Sequence, residues 1–162
     1  MMNGKKYEFT AETKVVFGRT LYRIRALVAF GDVEAGELGG WIEKESNLSQ
    51  SGNAWVYGNA WVYGNARVYG NARVSGNARV YGDAEVLKPV HVLTIGAIGS
   101  RNAVTTFFRT KNNQIKVVCG CFYGTVAEFA EKVQQTHGDS KHAKTYALAI
   151  ELAKAQIEDV ET

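Results

Sequence analysis

Between Gly52 and Leu87, two side chains in every six are free to do chemistry. The phrase Gly-Asn-Ala-x-Val-x occurs there six times without insertion, with Asp83 the one departure from Asn. Gly, Asn, Ala and Val are taken up by backbone geometry and packing, so only the x positions can act on another molecule. The first x reads Trp55, Trp61, Arg67, Arg73, Arg79 and Glu85; the second reads Tyr57, Tyr63, Tyr69, Ser75, Tyr81 and Leu87. Trp, Tyr and Arg carry most of the binding energy at protein interfaces. They also stack on bases and pair with phosphates. Trp55, Tyr57, Trp61, Tyr63, Arg67, Tyr69, Arg73, Arg79 and Tyr81 are therefore the candidate recognition surface, expected to face solvent.

Other chemistry-bearing residues lie outside the repeat. Arg101, Arg109 and Lys111 sit in or beside two predicted turns and form a second candidate contact set, with Arg19, Arg23 and Arg25 a smaller basic group. Cys119, Cys121, His137 and His142 give Cys-x-Cys and His-x4-His. A tetrahedral zinc site usually draws on a Cys pair two to four residues apart. On a strand, alternate residues stand about 7 Å apart. Two buried thiols and two solvated imidazoles are the expectation, with no metal and no cofactor. No Ser/His/Asp arrangement or phosphate loop can be assembled, and Gly96-Ala97-Ile98-Gly99 reads as a bulge or bend.

A net charge of +3 over 162 residues excludes a duplex-DNA binder driven by bulk charge. Seventeen glycines stand against one proline, as repeat corners that need backbone freedom require. The two cysteines, one residue apart, point to a reducing compartment. No run reaches the roughly 18 apolar residues of a membrane span, and the start lacks a signal-peptide core. The expected location is cytoplasmic.

Three segments must position these residues. Residues 1–39 read as strands at Lys6–Phe9, Lys14–Phe17 and Leu21–Phe30. In the third, Tyr22, Ile24, Ala26 and Val28 are expected to face a core and Leu21, Arg23, Arg25 and Leu27 to be partly solvated. They form an N-terminal cap over the open strand edges of the repeat. Residues 40–87 form that repeat, extended backward by two degenerate hexads in which Ile42 and Leu48 fill the Ala slot. If three hexads make a coil, residues 18 apart stack: Glu43 with Trp61 and Arg79, Trp55 with Arg73, Ser49 with Arg67 and Glu85, Tyr63 with Tyr81, Tyr69 with Leu87. Residues 88–162 form an α+β domain. Its strands are predicted at Val90–Ile98, Ala103–Thr110 and Gln114–Phe122. A helix from Val126 to Thr136 is capped by Thr125. A second helix, capped by Ser140, carries the stripe Ala143, Tyr146, Ala147, Ile150, Ala153 and Ile157.

The aliphatic-then-small spacing of Val56 with Ala60, Val62 with Ala66 and Val68 with Ala72 resembles the hexapeptide-repeat proteins. That resemblance implies a short left-handed parallel β-solenoid, here joined to an N-terminal strand cap and a C-terminal antiparallel sheet with two helices. Enzymes of that family are acyltransferases that rely on a His general base. The repeat holds no His, and His91, His137 and His142 all lie beyond it, so an acyltransferase is the least favoured reading. The flanking motifs Phe17-Gly18-Arg19-Thr20-Leu21, Gly39-Gly40-Trp41-Ile42-Glu43, Gly99-Ser100-Arg101, Cys119-Gly120-Cys121-Phe122 and Thr136-His137-Gly138-Asp139 resemble a group of small hexapeptide-repeat proteins encoded by bacteriophages and prophages. The resemblance implies a non-enzymatic protein acting against host immunity in the bacterial cytoplasm. It admits two versions: sequestration of a nucleotide-type ligand, or blocking of a host defence protein complex. A row of exposed Tyr and Trp implies an oligomer, most simply a dimer.

Overall fold

A computed structural model describes residues 4–157. The first strands, β1 (Tyr7–Val16) and β2 (Arg19–Ala26), pair antiparallel around a two-residue turn. Phe17 and Gly18 both take positive φ, as such a tight hairpin demands. Strand β3 (Leu38–Ile42) comes next, then the short 3-10 turn Glu45–Asn47 and six two-residue strands, one per hexad. These are β4 (Trp55–Val56), β5 (Trp61–Val62), β6 (Arg67–Val68), β7 (Arg73–Val74), β8 (Arg79–Val80) and β9 (Glu85–Val86). The glycine that opens each hexad adopts positive φ. That backbone state is open to glycine without steric cost, which fixes glycine at the corner.

Parallel pairing joins Trp55 to Arg73, Trp61 to Arg79 and Arg67 to Glu85. Partners eighteen residues apart mean three hexads per coil. The Val of every hexad, from Val56 to Val86, is at most 1% exposed, and the Ala residues fill the same interior. Backbone N–H groups of the x residues complete the ladders, as in Trp61 N to Ala78 O at 2.9 Å.

The first coil departs from the expected register. Trp41 pairs with Trp61, Ile42 with Val62 and Leu48 with Val68, each twenty residues apart. Ile42 and Leu48 therefore fill the Val slot, not the Ala slot, and Trp41 rather than Glu43 lies against Trp61. Asn47, not Ser49, occupies the position that corresponds to Arg67. The cause is two additional residues between Leu48 and Val56, which are eight apart where hexads would place them six apart. The longer corner is anchored: the Gln50 carboxamide oxygen accepts from Lys6 N at 2.7 Å and Tyr7 N at 3.2 Å.

The hairpin extends one ladder of the solenoid, in the strand order β1-β2-β3-β5-β8. Along β2 and just beyond it the expected faces are partly reversed: Leu21 is buried, along with Ile24 and Ala26, while Val28, past the end of the strand, is exposed. A register shift against β3 between Arg23 and Arg25 changes the side-chain alternation along the strand and lets Leu21 and Ile24 both face inward.

The chain splits after Pro89 into a second compact unit. There β10 (Val92–Ile98), β11 (Ala103–Arg109), β12 (Ile115–Cys119) and β13 (Phe122–Thr125) form an antiparallel meander in chain order. The predicted third strand is in fact two, because Gly120 with positive φ turns the chain between Cys119 and Phe122. Helices α1 (Val126–His137) and α2 (Lys141–Gln156) complete the unit, with Thr125 and Ser140 as caps. Phe107, Ile115, Val117, Phe129, Tyr146, Ile150 and Ala153 share one core. Ala149 rather than Ala147 completes the buried face of α2, with Ala147 left exposed.

Asn47 has no exposed surface and uses its full hydrogen-bonding capacity. Its Oδ1 accepts from Glu43 N (3.1 Å) and Lys44 N (2.9 Å), and its Nδ2 donates to Gly64 O (3.2 Å) and Ala66 O (2.9 Å). Asn47→Ala is expected to destabilise by at least about 1–3 kcal/mol, because buried partners lose their bonds. Asn59→Ala, at an exposed corner, should stay within about 0.5 kcal/mol. Denaturant midpoints of the two variants check the contrast.

Candidate functional site

The repeat positions expected to face solvent are largely engaged inside the first unit. Trp55 has no exposed surface. Tyr7 and Phe30 meet its ring edge-on, at centroid distances of 6.1 and 5.2 Å. Its indole N–H has no hydrogen-bond partner among the described residues. β4 pairs with β7 on one side, and the N-terminal segment closes over the other, which would be the open end. Trp55 is therefore a core residue and leaves the recognition surface.

Trp61 is half-buried in a stack of cations and rings. The Arg79 guanidinium lies 4.5 Å from its centroid and the Lys14 ammonium 5.5 Å. The same ammonium lies 4.2 Å over Trp41, and the Arg23 guanidinium lies 5.5 Å from that ring. Tyr63 is 5% exposed and stacks on Tyr81 at 4.7 Å and 15°. Burial pushes the Tyr63 hydroxyl up to about 12 and moves Tyr81 in the same direction. Arg19 reaches Tyr63 and also holds Glu43, whose carboxylate accepts from Gly64 N. Tyr57 donates to Asp32 Oδ1 at 2.9 Å, and Arg73 pairs with Asp32 Oδ2 at 2.6 Å while lying over the Tyr57 ring. These bonds from Arg73 and Tyr57 hold the Asp32 carboxyl below its ordinary range. Burial, then the Asp32 bond, pushes Tyr57 up to about 12. Tyr69 is half-buried beside Arg67, and Arg67 and Arg73 are the most open members of the set. The row that implied a dimer is thus packed within the chain, which removes that ground for oligomerisation.

The second unit holds a cavity of about 240 Å³ between two hairpin turns, α1 and α2. Ser100, Arg101 and Ala103 come from the β10–β11 connection; Cys119, Gly120, Cys121 and Phe122 come from the β12–β13 turn. Phe129, Lys132, Val133, Thr136 and His137 line it from α1, and Tyr146 from α2. Phe122, Phe129 and Tyr146 form an aromatic wall, with centroids 5.3 Å (Phe122–Phe129) and 5.4 Å (Phe129–Tyr146) apart. Arg101, Lys132 and His137 bring positive charge or a protonatable ring to the same space. Thr105 donates to Cys119 Sγ at 3.3 Å, and the Cys119 thiol donates to the Tyr146 hydroxyl at 3.7 Å. Burial, then that thiol, pushes Tyr146 up to about 12, while the Arg101 charge opposes the shift.

Of the second candidate set, Arg101 lines this cavity; Arg109 and Lys111 do not. Arg109 instead donates to Asn113 Oδ1 at 3.3 Å. The thiols are not both buried, for Cys119 is half-buried and Cys121 exposed. His137 and His142 are half-buried rather than solvated; their rings stand 5.5 Å apart and His137 stacks on Tyr146. Among the described residues, no three His, Cys, Asp or Glu side chains gather as a metal site. Lys132 and Thr136 were missed, yet a signal existed. They share the i, i+3, i+4, i+7 face of Phe129 and Val133 and are its polar members.

Residues 60–73 and 72–86 match the family described as YdcK Beta solenoid repeat. A 37-residue stretch is 51% identical to the uncharacterized acetyltransferase YdcK of Escherichia coli (strain K12). That stretch is 23% of this chain and 11% of the relative, so the chain spans a small part of the relative's length. The chain therefore carries β-solenoid repeats in a mostly β structure with two helices. No helix among the described residues is long and apolar enough to cross a membrane.

Two outcomes check this placement of the aromatics. Trp55→Ala is expected to cost about 3–5 kcal/mol, as for other buried tryptophans, read from denaturant unfolding. The Asp32 carboxylate is held down in the folded state, so its contribution is present above the ordinary Asp range, near 4, and fades as pH falls through the lower folded value. Asp32→Asn should flatten the acid limb of the thermal melting curve, measured from pH 6 down to about 2.

Proposed function

We propose that this chain is a non-catalytic binding protein that captures a small anionic, ring-bearing ligand of the nucleotide type in the cavity of its second unit. One observation carries the reading: Arg101, Lys132 and His137 line the same space as Phe122, Phe129 and Tyr146. Guanidinium and ammonium groups pair with phosphate or carboxylate oxygens. Aromatic faces accept a base or other planar ring. About 240 Å³ is small against the roughly 300–1,000 Å³ of common ligand sites. A base or a phosphate-bearing portion would enter, with the remainder of the ligand in solvent. The solenoid acts as a rigid support; its hexapeptide period supports a left-handed sense of coiling.

The resemblance of the flanking motifs to phage and prophage proteins supports placing this capture in the contest between phage and host. Removal of a nucleotide messenger from the bacterial cytoplasm would blunt a defence response. An acetyltransferase activity belongs to the name of a relative matched over 11% of its length. The repeat that is shared holds no His to serve as base. A second reading, blocking of a host defence complex, is favoured by the β1–β2 hairpin tip, where Val15 is 73% and Phe17 76% exposed.

Thermal-shift screening against a panel of cyclic and linear nucleotides tests the proposal. A binder at 100 times its Kd should add about 2.7 kcal/mol, a shift of several degrees. Arg101→Ala with Lys132→Ala should abolish the shift while leaving the unliganded melting point close to wild type. Absence of stabilisation by every nucleotide, with a host protein co-purifying and released by Phe17→Ser, would overturn capture in favour of blocking.

A further inference from the structure

We propose that Cys119 is a modification site for small anionic disulfides, whose sulfur exchanges with the Cys119 thiol inside the cavity. The inference rests on the reading of that cavity as an anion site, and adds covalent chemistry that ligand capture does not require. Cys119 ends β12, is half-buried and lines the cavity. Two hydroxyls flank that sulfur. Thr105, which has no exposed surface, already donates to it at 3.3 Å. Tyr146 lies 3.7 Å away and accepts the thiol proton's hydrogen bond. The phenol is protonated near neutral pH, as a tyrosine ordinarily is, and burial pushes it further up to about 12. Once the thiol proton leaves, the Tyr146 O–H can rotate to donate, so the sulfur anion has two hydroxyl donors. The backbone preserves this arrangement: a Cβ on Gly99, whose φ is +80°, would stand 1.9 Å from the Tyr146 hydroxyl oxygen.

The reagent's charge is set by the rest of the lining. Arg101, Lys132 and His137 line the same cavity as Cys119, and the Arg101 charge acts on the Tyr146 hydroxyl. A disulfide bearing carboxylates is drawn into such a site, where a neutral one is not. In the exchange, the Cys119 thiol releases its proton to solvent and the sulfur attacks one sulfur of the reagent. The reagent S–S bond breaks, a Cys119–S–S bond forms, and the other half departs as a thiolate. No further oxidant or reductant is consumed. The retained half, carrying its carboxylate, then fills the cavity and competes with any captured anion, so ligand capture becomes responsive to the thiol–disulfide balance of the cell. Cys121 lines the same cavity but is exposed on the turn, where a reagent's approach is less governed by the cationic lining.

The test compares two disulfides on the full chain, without any nucleotide. One is the dianionic 5,5′-dithiobis(2-nitrobenzoate) and the other the neutral 4,4′-dithiodipyridine, each at one equivalent. Peptide mapping by mass spectrometry locates the modified cysteine. Stopped-flow absorbance gives the rates, with free cysteine as the reference thiol and Cys121→Ser isolating Cys119. Cys119 should be the first residue modified. Its anionic-to-neutral rate ratio should exceed that of free cysteine by about tenfold or more, the low end of electrostatic focusing. Arg101→Gln with Lys132→Gln should return the ratio to the free-cysteine value. Modification of Cys121 first, or a Cys119 ratio equal to that of free cysteine, would overturn the inference. A chain that keeps the rate preference but is stabilised by no nucleotide retains this inference and loses the nucleotide reading.

Discussion

Parallel stacking at a fixed strand spacing governs the first unit. Once three hexads close a coil, each x residue must lie about 4.8 Å from the x residue of the next coil. Side chains along a column therefore become permanent neighbours. Trp61 with Arg79 and Tyr63 with Tyr81 are direct results of that spacing. Each exposed cation–π contact is worth only about 0.5–1 kcal/mol. A repeating column collects several, and the β1–β2 hairpin adds Lys14 and Arg23 to the same stack. Residues suited to a partner are in this way satisfied by one another.

A coil stack has two ends, and an uncovered end presents unpaired strand edges. At the N-terminal end the covering is built from unlike parts. β2 continues one ladder by pairing with β3, and Tyr7 with Phe30 seals Trp55. Lys6 donates to the Ala54 carbonyl at 2.7 Å and lies over the Phe30 ring. Burial pulls the Lys6 ammonium down to about 8, a cost that a surface lysine would not carry. The two extra residues before Val56 belong to the same device, since Gln50 receives the start of β1. The irregular first coil is the joint between a hairpin and a repeat.

The second unit is organised differently, with a four-stranded meander whose core is completed by α1 and α2. Its cavity arises because two hairpin turns, α1 and α2 do not fill the space between them. Two glycines shape its surroundings: Gly99 admits the Tyr146 hydroxyl, and Gly120 turns the chain between the two cysteines. Cationic, aromatic and thiol groups reach it from four separate elements, each placed there by core packing rather than by sequence proximity.

The hexad period by itself determined the inward Val and Ala, because a period of six leaves each side chain one repeating environment. The three-hexad coil, and with it the stacked pairs Trp55 with Arg73, Trp61 with Arg79 and Arg67 with Glu85, came from the resemblance to hexapeptide-repeat proteins and is borne out by the observed pairing. Thr125, Ser140 and the apolar spacing after them likewise determined both helices and their caps, since capping and periodicity are local. The degenerate hexads misled because an insertion of two residues preserves a six-residue reading on either side of it, and only pairing across coils reveals the slip from eighteen to twenty. The burial of Trp55 was equally illegible, for nothing in the repeat distinguishes the one copy that lies under Tyr7 and Phe30. The cavity was out of reach for the same reason: Arg101, Cys119, Lys132 and Tyr146 stand up to forty-five residues apart. A strand meander and two helices bring them together, and long-range packing of that kind leaves no periodic trace along a chain.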